Sequence, residues 1–102
     1  MAVGTDDLPL ATVLLGIAPN PFNPTTTIAY AMSRDGAVWL IVYDVAGRIV
    51  RELVTGEIQR PGRYEVIWNG CDHAGRHVAS GTYAVRLETG GVADTRLVTL
   101  VK

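Results

Sequence analysis

Both histidines and the one cysteine fall in one stretch, Trp68 to Ser80, which carries Asn69, Cys71, Asp72, His73 and His77. Their oxygen, nitrogen and sulfur atoms could in principle hold a metal ion, or set a thiol beside an imidazole as nucleophile and base. A calcium loop needs acids at several fixed positions and a closing glutamate, and this stretch supplies one acid, Asp72. His73 and His77 stand four apart in a loop rather than on a helix, so they lack the shared face that pairs histidines in zinc enzymes. For Cys71 to act as a nucleophile, a base and an orienting group must meet it in a cleft, and histidines two and six residues away do not establish one. Ser80-Gly81 has no glycine two residues before the serine and no helix after it, so it is no nucleophile elbow. We read the loop as a structural turn. Asp72 caps Asp72-His73-Ala74-Gly75 through its side chain, and Gly75, like Gly81 further on, takes a positive φ. No catalytic residue, metal ligand or cofactor is expected, and the chain is read as no enzyme.

Two further groups invite the same question. The cluster Pro19-Asn20-Pro21-Phe22-Asn23-Pro24 offers amide groups that hold ions or sugars elsewhere, but proline pre-sets φ and asparagine bonds to nearby backbone. We expect it to redirect the chain between two strands, with Phe22 as a hydrophobic plug. Among the aromatic residues, Tyr64 and Trp68 share a face with Val66 and belong to a core. Trp39 alternates out of phase with Val38, Leu40 and Val42, and is the one residue expected to make a surface contact, with a sugar or a neighbouring domain.

The elements that must position these residues are strands. Turn-forming glycine, proline and asparagine punctuate the chain at short intervals, and between them Val, Ile, Thr, Tyr and Trp dominate without a helical apolar repeat. Alternation is clearest at Ile28, Tyr30 and Met32, at Tyr64, Val66 and Trp68, and at Tyr83, Val85 and Leu87. The run Ala37 to Tyr43 is apolar almost throughout, as in a strand covered on both faces or meeting another domain. Seven strands are predicted, over about 11–17, 25–33, 37–44, 48–54, 62–69, 82–89 and 92–101, the last two joined as a hairpin through Gly90-Gly91. This count gives an all-β, immunoglobulin-like sandwich of antiparallel strands. No internal repeat stands out.

At 102 residues and 48% hydrophobic, the chain suits one globular core. Residues 10–102 are the expected domain, and residues 1–9 a flexible linker or the remnant of an excision. Nine basic and ten acidic side chains leave a net charge of −1 with no basic stripe, so nucleic acid is not an expected partner. A lone cysteine permits no internal disulfide, and no apolar run is long enough for membrane insertion as a helix.

Taken in order, Ala18-Pro-Asn-Pro-Phe-Asn-Pro-Thr-Thr-Thr-Ile28, Val42-Tyr-Asp-Val-Ala-Gly-Arg48, Tyr64-Glu-Val-Ile-Trp-Asn-Gly70, Asp72-His-Ala-Gly75 and Val78-Ala-Ser-Gly-Thr-Tyr83 resemble a known pattern. It is that of the C-terminal type IX secretion sorting domains, or Por secretion tails, and of the immunoglobulin-like domain of the flagellar hook-capping protein FlgD. The resemblance covers about residues 10–102. It implies a non-catalytic last module that directs a larger bacterial cargo protein, by way of the periplasm, to the cell surface or the medium. The implied partners are the outer-membrane secretion machinery and the upstream cargo domain of the same precursor. The ending Leu97, Val98, Thr99, Leu100, Val101 and Lys102 is similar to the family's apolar terminus closed by lysine, where the sorting signal is read. Two alternatives stay open: a structural or carbohydrate-binding accessory module of a secreted enzyme, and a hook-cap domain.

Overall fold

Branched and aromatic side chains crowd a helical backbone and suit a pleated one, and each run of them is a strand in the computed structural model, which describes residues 9–102. The strands are β1 (Val13–Ala18), β2 (Thr26–Met32), β3 (Gly36–Tyr43), β4 (Ile49–Gln59), β5 (Gly62–Trp68), β6 (Gly81–Thr89) and β7 (Val92–Leu100). All pairings are antiparallel. They form a three-stranded sheet ordered β1-β2-β5 and a four-stranded sheet ordered β4-β3-β6-β7. Seven antiparallel strands in two sheets are the predicted immunoglobulin-like sandwich. Apart from Pro9, the linker expected over residues 1–9 lies outside the described residues. Among the described residues no helix is long and apolar enough to cross a membrane.

The period-two sets meet between the sheets. Ile28, Tyr30 and Met32 of β2 face Val38, Leu40 and Val42 of β3, Tyr83, Val85 and Leu87 of β6, and Val98 and Leu100 of β7, all in one buried cluster. Each such side chain contributes about 1.5–3 kcal/mol by leaving water, offset by the entropy of ordering the chain. Trp68 closes one end of this core, with Phe22 at 5.3 Å between ring centroids and Tyr83 edge-on at 5.4 Å. Phe22 is thus the plug the sequence suggested. Tyr64 and Val66, expected inside with Trp68, are only half-buried, because β5 lies at the edge of the smaller sheet.

Buried polar tips are tied to backbone. Trp68 Nε1 donates to the Cys71 carbonyl at 3.0 Å, and the Tyr83 hydroxyl donates to Ala79 O four residues upstream, in the manner of the tyrosine corner of such sandwiches. The Tyr30 hydroxyl donates to Gln59 Oε1 at 2.7 Å. Burial raises the pKa of both phenols, and for Tyr30 the bond to Gln59 opposes the rise.

The largest departure from the sequence reading is β4, expected to stop at Val54 before Gly56 and observed to run on to Gln59. Gly56 is a bulge, not a break. Glu57 and Thr55 face the adjacent residues Val38 and Trp39, and Gly56, the residue between them, has φ +77°, a conformation that its lack of a Cβ allows. Val50 and Leu53 are likewise extra residues opposite β3, so this edge strand bulges three times.

Candidate functional site

The last strand decides what the chain presents at its C-terminal end. In β7 the side chains alternate: Val98 and Leu100 are in the core, Thr99 is half-buried, and Leu97, Val101 and Lys102 are exposed. Of the six residues expected to form a sorting signal, two are therefore core residues in the folded domain. Leu97, 63% exposed, lies on the outer face of the four-stranded sheet, beside a shallow apolar depression it shares with Tyr43, Val45 and Ala84.

The backbone of the same strand is held from both sides. One edge pairs with β6. Along the other, Asn20 Nδ2 donates to Leu97 O (3.4 Å) and Asn20 Oδ1 accepts from Thr99 N–H (3.0 Å). Phe22 N–H then donates to Thr99 O (2.9 Å), and Phe22 O accepts from Val101 N–H (3.0 Å). The Asn20 carboxamide has the donor and acceptor of a peptide unit, and with Phe22 it builds a short parallel ladder along the strand edge. The sequence predicted that asparagine here would bond to nearby backbone. It bonds instead to backbone at the other end of the chain, which no local rule could indicate.

Trp39 is 39% exposed on the outer face of β3, as its phase required, while its neighbours Val38, Leu40 and Val42 are fully buried. Its indole also has a structural duty, because it lies over the bulge glycine: a Cβ at Gly56 would come within 3.2 Å of Trp39 Cζ2. Ile41, on the same outer face, is buried even so, flanked by Arg86 of β6 and Glu52 of β4.

In the loop 69–80 each candidate group has a partner, within the loop for all but His73. Asn69 Oδ1 accepts from Cys71 N–H, and the Cys71 thiol, in a residue only 5% exposed, lies 3.6 Å from His77 Nδ1 and 3.8 Å from Asn69 O. His73 Nε2 accepts from Glu52 N–H at 2.9 Å. Asp72 Oδ1 accepts from Ala74 N–H and Arg76 N–H, its carbonyl accepts from Gly75 N–H, and Gly75 has φ +80°. This is the side-chain-capped turn that was predicted. Among the described residues, no three of His, Cys, Asp and Glu converge as a metal site.

A sequence signal was overlooked here. Asp44-Val-Ala-Gly-Arg48 repeats the Asp-x-Ala-Gly-Arg order of Asp72 to Arg76, and the geometry repeats with it. Asp44 Oδ1 accepts from Ala46 and Arg48 N–H, and Gly47 N–H donates to Asp44 O. In both turns the carboxylate pKa is lowered, chiefly by the backbone N–H of Arg48 or Arg76 and secondarily by the neighbouring Ala N–H and the arginine charge, against a smaller opposing effect of desolvation.

The family model described as FlgD Ig-like domain matches residues 23–91. The chain belongs to this family. Members of the FlgD Ig-like family are structural and accessory modules rather than catalysts. Among solved structures, the chain is similar to FLGD from P. aeruginosa, with a TM-score of 0.58, 27% identity, and coverage of 74% of this chain and 58% of that one. It shares its fold with part of PorZ, described as an essential bacterial surface component of the type-IX secretion system of Porphyromonas gingivalis. That likeness has a TM-score of 0.59 at 19% identity, over 85% of this chain and 11% of PorZ. The chain thus spans a small part of one neighbour and somewhat over half of the other. No curated protein matches it.

Proposed function

We propose that this FlgD Ig-like domain is a sorting module. It travels as the non-catalytic C-terminal domain of a larger cargo protein, and the outer-membrane machinery of type IX secretion reads it on the way to the cell surface or medium. The observation that carries the reading is the terminal strand, whose Leu97, Val101 and Lys102 side chains stand free while both of its backbone edges are occupied. A reader therefore meets side chains, not an open strand edge. The order of motifs from Ala18 to Tyr83 and the fold shared with PorZ, a type-IX component, support the same context.

The test is export of a passenger fused ahead of residues 10–102 in a host that carries the machinery. Passenger at the surface or in the medium is expected, with retention in the periplasm when Leu97→Glu and Lys102→Glu are combined. Both sites are exposed, so the pair leaves the core intact. A passenger that never leaves the periplasm, or that leaves equally well with both substitutions, overturns the sorting reading.

A second reading rests on the outer face of the four-stranded sheet, where Trp39, Tyr43 and Leu97 leave apolar surface in view. On that reading the domain is an accessory module that packs on a neighbouring domain or a glycan. Retention on polysaccharide that disappears with Trp39→Phe supports the glycan version. Because Trp39 also covers Gly56, phenylalanine, which keeps an aromatic there, is a better probe than alanine.

A further inference from the structure

A sandwich of two open sheets has four edge strands, here β1, β4, β5 and β7. Unpaired edge backbone invites another strand, and folded proteins ordinarily blunt it. Three of the four are blunted. In β1, Leu14 N–H donates to Asp94 Oδ2 at 2.8 Å and the pairing with β2 shifts between Leu14 and Gly16. β4 carries three bulges, and Glu52 N–H is held by His73. β7 is covered by Asn20 and Phe22.

The fourth edge differs. β5 pairs with β2 without a bulge over seven consecutive residues, Gly62 to Trp68. Among the described residues, no side chain or loop backbone bonds to its outward peptide groups. Its outward-facing side chains are Arg63, Glu65 and Ile67, all exposed.

Charge selects the occupant. Two copies of β5 meeting antiparallel across a two-fold axis continue the sheet only in registers that keep core faces on one side, so the axis passes through a residue. An axis at Arg63 sets arginine against arginine, and one at Glu65 sets glutamate against glutamate. An axis at Tyr64 places Arg63 of each copy opposite Glu65 of the other, twice. The same register brings Ile67, 63% exposed, against Pro61 of the second copy. Opposite charges directly across a strand pair attract and like charges repel. We infer that β5 is a self-association edge, through which a second copy of this chain extends the three-stranded sheet to six strands in the register centred on Tyr64.

Sedimentation of the chain over concentrations up to about 1 mM tests this. A concentration-dependent dimer is expected. Arg63→Glu leaves only acids at the two positions and Glu65→Arg only arginines, so each variant alone should dimerise at least about fivefold more weakly. Mixing the two variants restores complementarity at both pairs, as does the double variant Arg63→Glu/Glu65→Arg, and both should recover the dimer. A wild-type chain that stays monomeric throughout, a dimer indifferent to either single reversal, or a mixture that fails to recover overturns the inference. The outcome is independent of passenger export, so the two readings stand or fall separately.

Discussion

Asp44 and Asp72 show how one side chain fixes a turn. Each carboxylate accepts two backbone N–H groups that the turn would otherwise leave unpaired, and each has its pKa lowered mainly by those bonds. The sign of the linkage follows. A carboxylate with a lower pKa folded than unfolded contributes stability above its unfolded value, here near 3.8, and loses it as pH falls through the folded value. The melting temperature is therefore expected to decline as pH falls below about 4. Asp44→Asn with Asp72→Asn, which keeps an acceptor oxygen but removes the titration, should flatten that decline. An equally steep profile in the double variant would show that other carboxylates govern acid stability. The arginine partners, about 80% exposed, add little by comparison.

At the scale of the element, β4 and β7 illustrate two ways of finishing an edge. The β4 bulge at Gly56 needs a positive φ and has Trp39 pressed over it, whereas Gly75, at φ +80°, faces open space. Alanine at Gly75 meets only the backbone cost of the left-handed region, about 1 kcal/mol. At Gly56 alanine must also displace the indole and should cost about 2 kcal/mol or more, which urea denaturation of the two variants separates. Equal losses would mean that Trp39 yields freely. On β7, Asn20→Ala removes both side-chain bonds to the strand and should cost about 1 kcal/mol. Hydrogen exchange locates the loss: the Thr99 amide should exchange faster while amides facing β6 keep their protection. Unchanged exchange at Thr99 would make the carboxamide ladder energetically idle.

For the whole molecule, the last strand is part of the core and not an appendage. Val98 and Leu100 sit in the same cluster as Trp68, Leu87 and Val42, and without β7 the strand β6 becomes a bare edge. Removal of residues 92–102 should therefore abolish the cooperative thermal transition seen by circular dichroism. A chain lacking them that still melts cooperatively would mean that the other six strands suffice. The same fact governs how secretion experiments are read, since cargo trapped after such a deletion reports misfolding as readily as a lost signal. Substitutions at Leu97 and Lys102 avoid that confusion.

The period-two alternation of Ile28, Tyr30 and Met32, and of Tyr83, Val85 and Leu87, determined by itself that the chain forms strands and which faces enter the core, because a pleated strand sends alternate side chains to opposite sides. Local turn chemistry was legible too, as with Asp72 and Gly75, since both partners lie within five residues. Gly56 was misread because a glycine that breaks a strand and one that bulges it look alike until the partner strand is in place. Apart from the β6–β7 hairpin that Gly90-Gly91 announced, which strands share a sheet, the reach of Asn20 to Leu97 and Thr99, and the contrast between three blunted edges and the bare β5 were decided by tertiary structure alone. Each joins residues far apart in the chain, and their pairing is set by how two twisted sheets close over one core, which no local window of sequence contains.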